Sequence, residues 1–306
     1  MAFAAFGQSA PAASTAAPVK SGGRVALFLL LPGLAYLALF FLTPLISLIV
    51  TSLQVPSASG LYGAFDYGFA IENYWIVIES YLPQIMHSFL YALIATLAAL
   101  VISYPLAYFI GVKIRSRPLL QGLMLTLVIA PFFISFLLRT FAWKQLFSNE
   151  SWIVTTLQSL HILAPDQYLV GTPFMVIFGL TYNFIPFMTL PLYTSLERLD
   201  TRLLEAGSDL YASASQVFRK ITLPLTLPGI ISGTLLTFIP IAGDYVNASG
   251  DFLGGTETAM IGNVVESKYL VSNNYPAASA LSVLLMGVIL ILVTVYVRKS
   301  GTEDLL

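Results

Sequence analysis

The chain has 306 residues, 57% of them hydrophobic and 9% charged, with a formal net charge of −1. A soluble domain carries about 25% charged residues, so this composition excludes an ordinary water-soluble protein and points to one that lies in a bilayer. The chain has no cysteine, which excludes disulfides, thiol chemistry and thiolate metal sites.

Residues 1–24, rich in Ala, Ser, Pro and Gly without an apolar face, read as a disordered cytoplasmic tail. A cleavable signal peptide is not expected: no charged segment opens the chain, and the apolar run after Arg24 is long enough to remain as a span. Stretches free of Asp, Glu, Lys and Arg that exceed the roughly 20 residues needed to cross a bilayer lie at 25–65, 80–112, 118–138, 167–196, 221–243 and 269–297. They predict an all-α integral membrane protein with six transmembrane helices across 25–297, the first run also holding an external loop. The shorter gap 151–165 places Ile153, Val154, Leu157 and Leu160 at helical spacing and predicts an amphipathic helix in the outer interface. Residues 298–306 form a short cytoplasmic C-terminal tail.

Basic residues are retained on the cytoplasmic side of short loops. With both termini inside, eleven of the fourteen Lys and Arg residues fall on that side, and only Arg139, Lys144 and Lys268 lie at or beyond the outer face. The outer face is acidic, with Asp66, Glu72, Glu79, Glu150, Asp166, Asp251, Glu257 and Glu266. His87 and His161 have no metal-ligand spacing, and His87 reads as a packing residue.

The loop between the fourth and fifth spans carries two helix starts. Asp200 is a plausible N-cap for a helix from Thr201 to about Leu210. Ser213 and Gln216 then have the S-x-x-Q spacing of a capping box, which predicts a turn at Tyr211 and Ala212 and a second helix through Phe218. Pro224 and Pro228 fix the entry into the fifth span. Leu203, Leu204, Leu210, Tyr211 and Phe218 are thus exposed amid charges, either as a surface touched by another protein or as an interfacial helix packed on its own bundle.

Asp244 follows a charge-free run of 23 residues. An acid within a span costs about 2.5–3.5 kcal/mol, so it is expected to face the bundle interior. With Tyr245, Asn247, Tyr182, Asn183 and Trp143 it could line a cation path, the carboxylate attracting ammonium groups and the rings adding cation–π attraction. The alternative is an interfacial cap or a pair with Arg139 that fixes packing. Gly229 and Gly233 form G-x-x-x-G, which permits close helix approach and could face a partner subunit. Pro186 and Pro191 are expected to kink the fourth span.

The segment from Leu204 to Gly233, LEAGSDLYASASQVFRKITLPLTLPGIISG, resembles the EAA loop of permease subunits in binding-protein-dependent ABC importers. Glu205, Ala206, Ile221, Leu223 and Pro224 match that pattern in place. Gly207 stands where the third motif residue is usually Ala, and Tyr211 stands where a turn Gly is usual; an aromatic residue resists the positive φ that Gly permits. The segments FLLRTFAW (136–143), TYNFIPFMTLPLYTSLERLD (181–200) and GDYVNASGDFLGGTETAMIGNVVESKYL (243–270) resemble the spermidine and putrescine branch.

The resemblance implies a type I ABC importer permease fold in the bacterial inner membrane, with cytoplasmic termini and a coupling loop over 197–224. It assigns ATPase coupling to Leu204, Glu205, Ala206, Gly207, Asp209, Leu210 and Tyr211. The implied partners are a homologous second permease, two ATPase subunits, an extracytoplasmic substrate-binding protein and the lipid bilayer, with no nucleic acid. No catalytic residue, metal site or cofactor is expected in this chain; ATP and Mg²⁺ belong to the ATPase subunits, and no G-x-x-x-x-G-K-[ST] phosphate loop occurs here. Other readings are a permease for a different small solute or, from another class, an ion-driven secondary transporter or channel.

Overall fold

The computed structural model describes residues 23–59 and 61–299. Most of the expected N-terminal tail, and residues 300–306 of the C-terminal one, lie outside them. Two compact units divide at Ser47 and Leu48. The first contains α1 (Gly23–Leu37), a π turn over Ala38–Leu42 and the start of α2 (Thr43–Ser52).

The second unit takes in the rest of α2 and then a two-residue antiparallel ribbon, β1 (Val55–Pro56) against β2 (Phe65–Asp66). Next, α3 (Glu72–Tyr108) runs on through a π turn to Lys113. At 1.5 Å per residue its 42 residues would reach about 63 Å, roughly twice a hydrocarbon core. The helix is not regular throughout. Pro83 offers no N–H to the preceding turn, and the backbone leaves helical geometry at Tyr81 (φ −124°, ψ 21°).

The apolar run over 118–138 does not form one continuous helix. Pro118 opens α4 (Pro118–Ile129), a 3₁₀ turn with Pro131 follows, and Ile134 and Ser135 are extended before α5 (Phe136–Leu146). The two helices meet at 93°. The amphipathic segment forms α6 (Trp152–Ser159), its N-terminus satisfied by Ser151 Oγ accepting from Val154 N at 3.2 Å.

Helix α7 (Pro173–Glu197) starts with a Thr172 cap and Pro173 in the first turn. It stays one helix through Pro186 and Pro191. Then come α8 (Thr201–Asp209), α9 (Ala214–Val217), a π turn over Phe218–Thr222 and the short α10 (Leu223–Leu225). After a break at Thr226, α11 (Leu227–Ala242) leaves at 65° to the helix before it. A loop leads to α12 (Ile261–Glu266), a π turn and α13 (Tyr275–Lys299).

The core lies where α3, α7 and α11 meet. Small residues make this possible: Ala92, Ala95, Ala99, Ser103 and Ala107 form a fully buried stripe along α3. On α11 the G-x-x-x-G face packs against α7 of the same chain. A Cβ at Gly229 would stand 2.9 Å from the Pro191 carbonyl oxygen, and one at Gly233 would stand 3.1 Å from that of Met188. The suggested partner-facing role of these glycines is therefore replaced by an internal one.

Four helices among the described residues are long and apolar enough to cross a membrane: Phe28–Ser52, Glu72–Lys113, Pro173–Glu197 and Tyr275–Arg298. The number rises to six if each bent pair, Pro118–Phe133 with Phe136–Leu146 and Ala214–Leu225 with Leu227–Ala242, makes one span.

Candidate functional site

The polar loop after α7 is built by capping. Asp200 Oδ1 accepts from Arg202 N at 3.0 Å and starts α8. Ser213 and Gln216 form the expected reciprocal box, Gln216 Oε1 accepting from Ser213 N at 2.8 Å and Ser213 Oγ accepting from Gln216 N at 3.3 Å. Between them α8 ends in a Schellman turn, with Tyr211 N donating to Ser208 O at 3.0 Å and Ala212 N to Gly207 O at 3.2 Å. Tyr211 is the left-handed residue of that turn, with φ 58°. The bend therefore does not use a different backbone geometry: Tyr211 takes the left-handed conformation in which Gly is usual. Its cost is about 1–2 kcal/mol.

Gly207 is explained by packing. It is buried, and a Cβ there would meet Ile221 Cδ1 at 2.8 Å and Val217 Cγ2 at 3.2 Å, so α8 lies close over α9 and the π turn. Glu205, Ala206 and Asp209 are exposed and Leu204 is half-buried. Leu210 is 82% exposed and Tyr211 98% exposed.

The loop is clamped to the helices behind it. Tyr104 Oη lies 2.8 Å from Thr226 Oγ1 at the α10–α11 break, and the Tyr104 ring meets Phe218 edge-on at 5.5 Å. Arg115 Nη1 donates to Leu199 O at 2.9 Å. Tyr193 Oη donates to Glu197 Oε1 at 2.6 Å and accepts from Gln121 Nε2 at 3.2 Å.

A second polar cluster links α5, α7 and the loop after α11. Asn183 Nδ2 lies 3.1 Å from Thr140 Oγ1 and 3.2 Å from Asn247 Oδ1. Asn247 in turn donates to Asp244 twice, from N to Oδ1 at 2.8 Å and from Nδ2 to Oδ2 at 3.1 Å. Asp244 is buried, as expected, and its carboxylate caps its own turn instead of pairing with Arg139. Gly179 makes room for this chain, since a Cβ there would stand 2.6 Å from Asn247 Oδ1.

Of the six residues suggested for a cation path, Asp244, Asn247 and Asn183 form this chain. Trp143 and Tyr182 form a neighbouring aromatic group, with ring centroids 5.1 Å apart and Phe178 at 4.9 Å from Trp143. Tyr245 stands apart, half-exposed in a groove with Glu266 and Tyr269 between α11, α12 and α13.

Arg139, expected near the outer face or as a packing pair with Asp244, is 9% exposed, with Nε and Nη1 buried and without a hydrogen-bond partner among the described residues. Its guanidinium carbon lies 5.8 Å from the Phe136 ring centroid. The buried Asn183 Oδ1 also lacks a donor. A lone Arg within FLLRTFAW was the available signal.

Residues 103–300 match the family described as binding-protein-dependent transport system inner membrane component. The chain belongs to that family. It is 36% identical over 267 residues to the spermidine/putrescine transport system permease protein PotB of Haemophilus influenzae, covering 87% of this chain and 91% of the relative. To PotB of Escherichia coli it is 39% identical over 234 residues, covering 76% and 83%. Among solved structures, an ABC transporter involved in import of the acidic polysaccharide alginate aligns with TM-score 0.67 and 16% identity over 92% of this chain and 96% of the other. The MetNI methionine ABC transporter, in inward-facing conformations, aligns with TM-score 0.55 and 18% identity over 76% and 98%. These two show a shared fold. As a member of the family the chain is a pore-forming permease component of the inner membrane and is not itself an enzyme.

Proposed function

We propose that this permease carries polyamines of the spermidine and putrescine class, as one half of a heterodimer with a homologous permease. The observation that carries the reading is its 36% identity to a spermidine/putrescine permease across 91% of that protein. In this reading six spans cross the membrane with both termini in the cytoplasm, each bent pair counting as one span. The loop over 197–224 then lies inside, where one of two ATPase subunits docks on it, a helix-in-groove contact centred on Glu205. ATP and Mg²⁺ are held by those subunits, and their closure on nucleotide drives alternating access through the loop. An extracytoplasmic binding protein delivers the solute.

The doubly capped bend and its clamps to α3, α4 and α7 support a rigid transmitting element. For the substrate path, Trp143 and Tyr182 offer aromatic faces and Asn183 Oδ1 a buried acceptor without a donor, which an ammonium group can supply. Asp244 and Asn247 hold that acceptor in place, and Tyr245 lines the neighbouring groove. The test is uptake of labelled spermidine by vesicles holding the assembled complex, binding protein and internal ATP. Wild-type uptake is expected to be ATP-dependent, and Glu205→Ala is expected to retain assembly while ATP hydrolysis no longer drives uptake. Unaltered uptake by that variant would remove the role given to the loop.

A further inference from the structure

A groove of about 760 Å³ lies between the end of α11, α12 and α13, and its lining is graded. Leu285, Met286, Ile289, Leu290 and Val293 of α13 make an apolar trough. Glu266, Tyr245 and Tyr269 stand at its head, where α12 packs on the first turns of α13 through Val264 and Leu281. From Ser282 to Val293 the trough follows α13 for about 16 Å at 1.5 Å per residue. That is close to the depth of one bilayer leaflet, roughly 15 Å or half of the hydrocarbon core.

Glu266 is half-buried, and among the described residues its carboxylate has no hydrogen bond and no ion pair. The Tyr245 and Tyr269 hydroxyls are likewise without a hydrogen bond there. Lys268, the cation nearest to Glu266 along the chain, is turned onto the Tyr81 ring instead, 5.5 Å from its centroid. A lone carboxylate at the head of an apolar trough calls for a cation, and aromatic rings beside it add cation–π attraction.

We propose that this groove holds a phospholipid with a primary-ammonium headgroup, its acyl chain along α13 and its ammonium on Glu266 beside Tyr245 and Tyr269. The proposal needs only that α13 cross the membrane, for which it is long and apolar enough, and does not depend on which solute is carried. Three features select this occupant. The negative charge of Glu266 repels an anionic headgroup and attracts an ammonium. A small soluble amine would satisfy Glu266 and leave the apolar trough uncovered, whereas an amphiphile matches both ends. The rim is already in contact with hydrocarbon: Tyr269, Leu270 and Leu290 are exposed, and Leu290 continues into the exposed Ile291 and Leu292 of the same spanning helix. A lipid therefore enters sideways with no other protein in place, while a helix of another subunit would have to bring its own cation to Glu266.

The test is native mass spectrometry of the purified protein, with the subunits that accompany it, released from nanodiscs of equal phosphatidylethanolamine and phosphatidylglycerol. Wild type is expected to retain the ethanolamine lipid over the glycerol lipid by about fivefold, the worth of one partly exposed ion pair. Glu266→Gln is expected to bring the ratio near one, and Glu257→Gln, which changes an exposed acid outside the groove, to leave it as in wild type. A ratio near one in wild type, or a preference that survives Glu266→Gln, would overturn the proposal. In parallel, a benzoylphenylalanine photocrosslinker placed at position 289 reports the occupant in native membranes. An adduct with the mass of phosphatidylethanolamine is expected. A crosslink to a protein subunit instead would give the groove to that subunit, and loss of the lipid adduct on adding spermidine would give it to the solute; either result overturns the proposal.

Discussion

Alanine at Gly229 puts the internal packing of α11 to a quantitative test. The added Cβ would lie 2.5 Å from Ser195 Cβ and 2.9 Å from the Pro191 carbonyl oxygen. Ordinary van der Waals contact starts at 3.4 Å, so α11 and α7 would have to separate by up to about 0.9 Å at this point. A carbonyl oxygen in a packed helix cannot rotate away, and overpacking of this kind costs about 1–3 kcal/mol. Alanine returns about 1 kcal/mol of helix propensity, leaving a net loss of up to about 2 kcal/mol. Gly122 in α4 and Gly287 in α13 are the internal standards, since a Cβ at either meets nothing within 4 Å. There the same substitution is expected to be neutral or stabilising. The assay is the apparent melting temperature of the detergent-solubilised single chain, each variant heated at one scan rate because unfolding of such proteins is seldom reversible. Gly229→Ala is expected to melt below wild type and both standards at or above it. Close packing of α11 on α7 is refuted if Gly229→Ala melts no lower than Gly122→Ala, and a loss seen only in the assembled complex would return these glycines to a subunit interface.

Three further outcomes follow from buried polar groups and capping. Arg139→Met removes two buried donors without partners and is expected to stabilise the isolated chain by about 1–3 kcal/mol, read as a higher melting temperature; a destabilised chain would mean that the guanidinium is satisfied in its own fold. Asn247→Ala takes one of the two partners of Asn183 Nδ2 and the side-chain donor to Asp244 Oδ2, and should cost about 1–3 kcal/mol, read as a lower melting temperature; no change would show that the chain of bonds contributes nothing. Ser213→Ala loses one arm of the capping box, about 1 kcal/mol, and amide exchange at 214–218 should quicken by up to about fivefold while that in α7 stays unchanged. Unaltered exchange at those amides would count against the box.

The polar loop was legible because its signals are local. Asp200, Ser213 and Gln216 act within four residues of themselves, and a cap works the same way whatever lies beyond it. The break before α5 was hidden because an apolar run of bilayer length looks the same straight or bent, with Pro131 its only mark. Asp244 was rightly placed inside, but its partner proved to be Asn247 three residues on, a spacing the sequence displays. What stayed out of reach is tertiary. That Gly229 and Gly233 meet α7, that Gly179 opens space for Asn247, and that Arg139 turns inward all depend on which helix faces which, and residue spacing along one helix does not record that.

In the proposed function this permease couples a partner's ATP hydrolysis to polyamine uptake. The most direct test of that coupling is the ATPase rate of the purified complex in lipid nanodiscs, with the external binding protein loaded in turn with polyamines, amino acids and anions. Stimulation by the polyamine-loaded binding protein, and by none of the others, is the result expected. Stimulation by another solute would contradict the substrate, and a purified complex with no associated ATPase would contradict the role given to the loop.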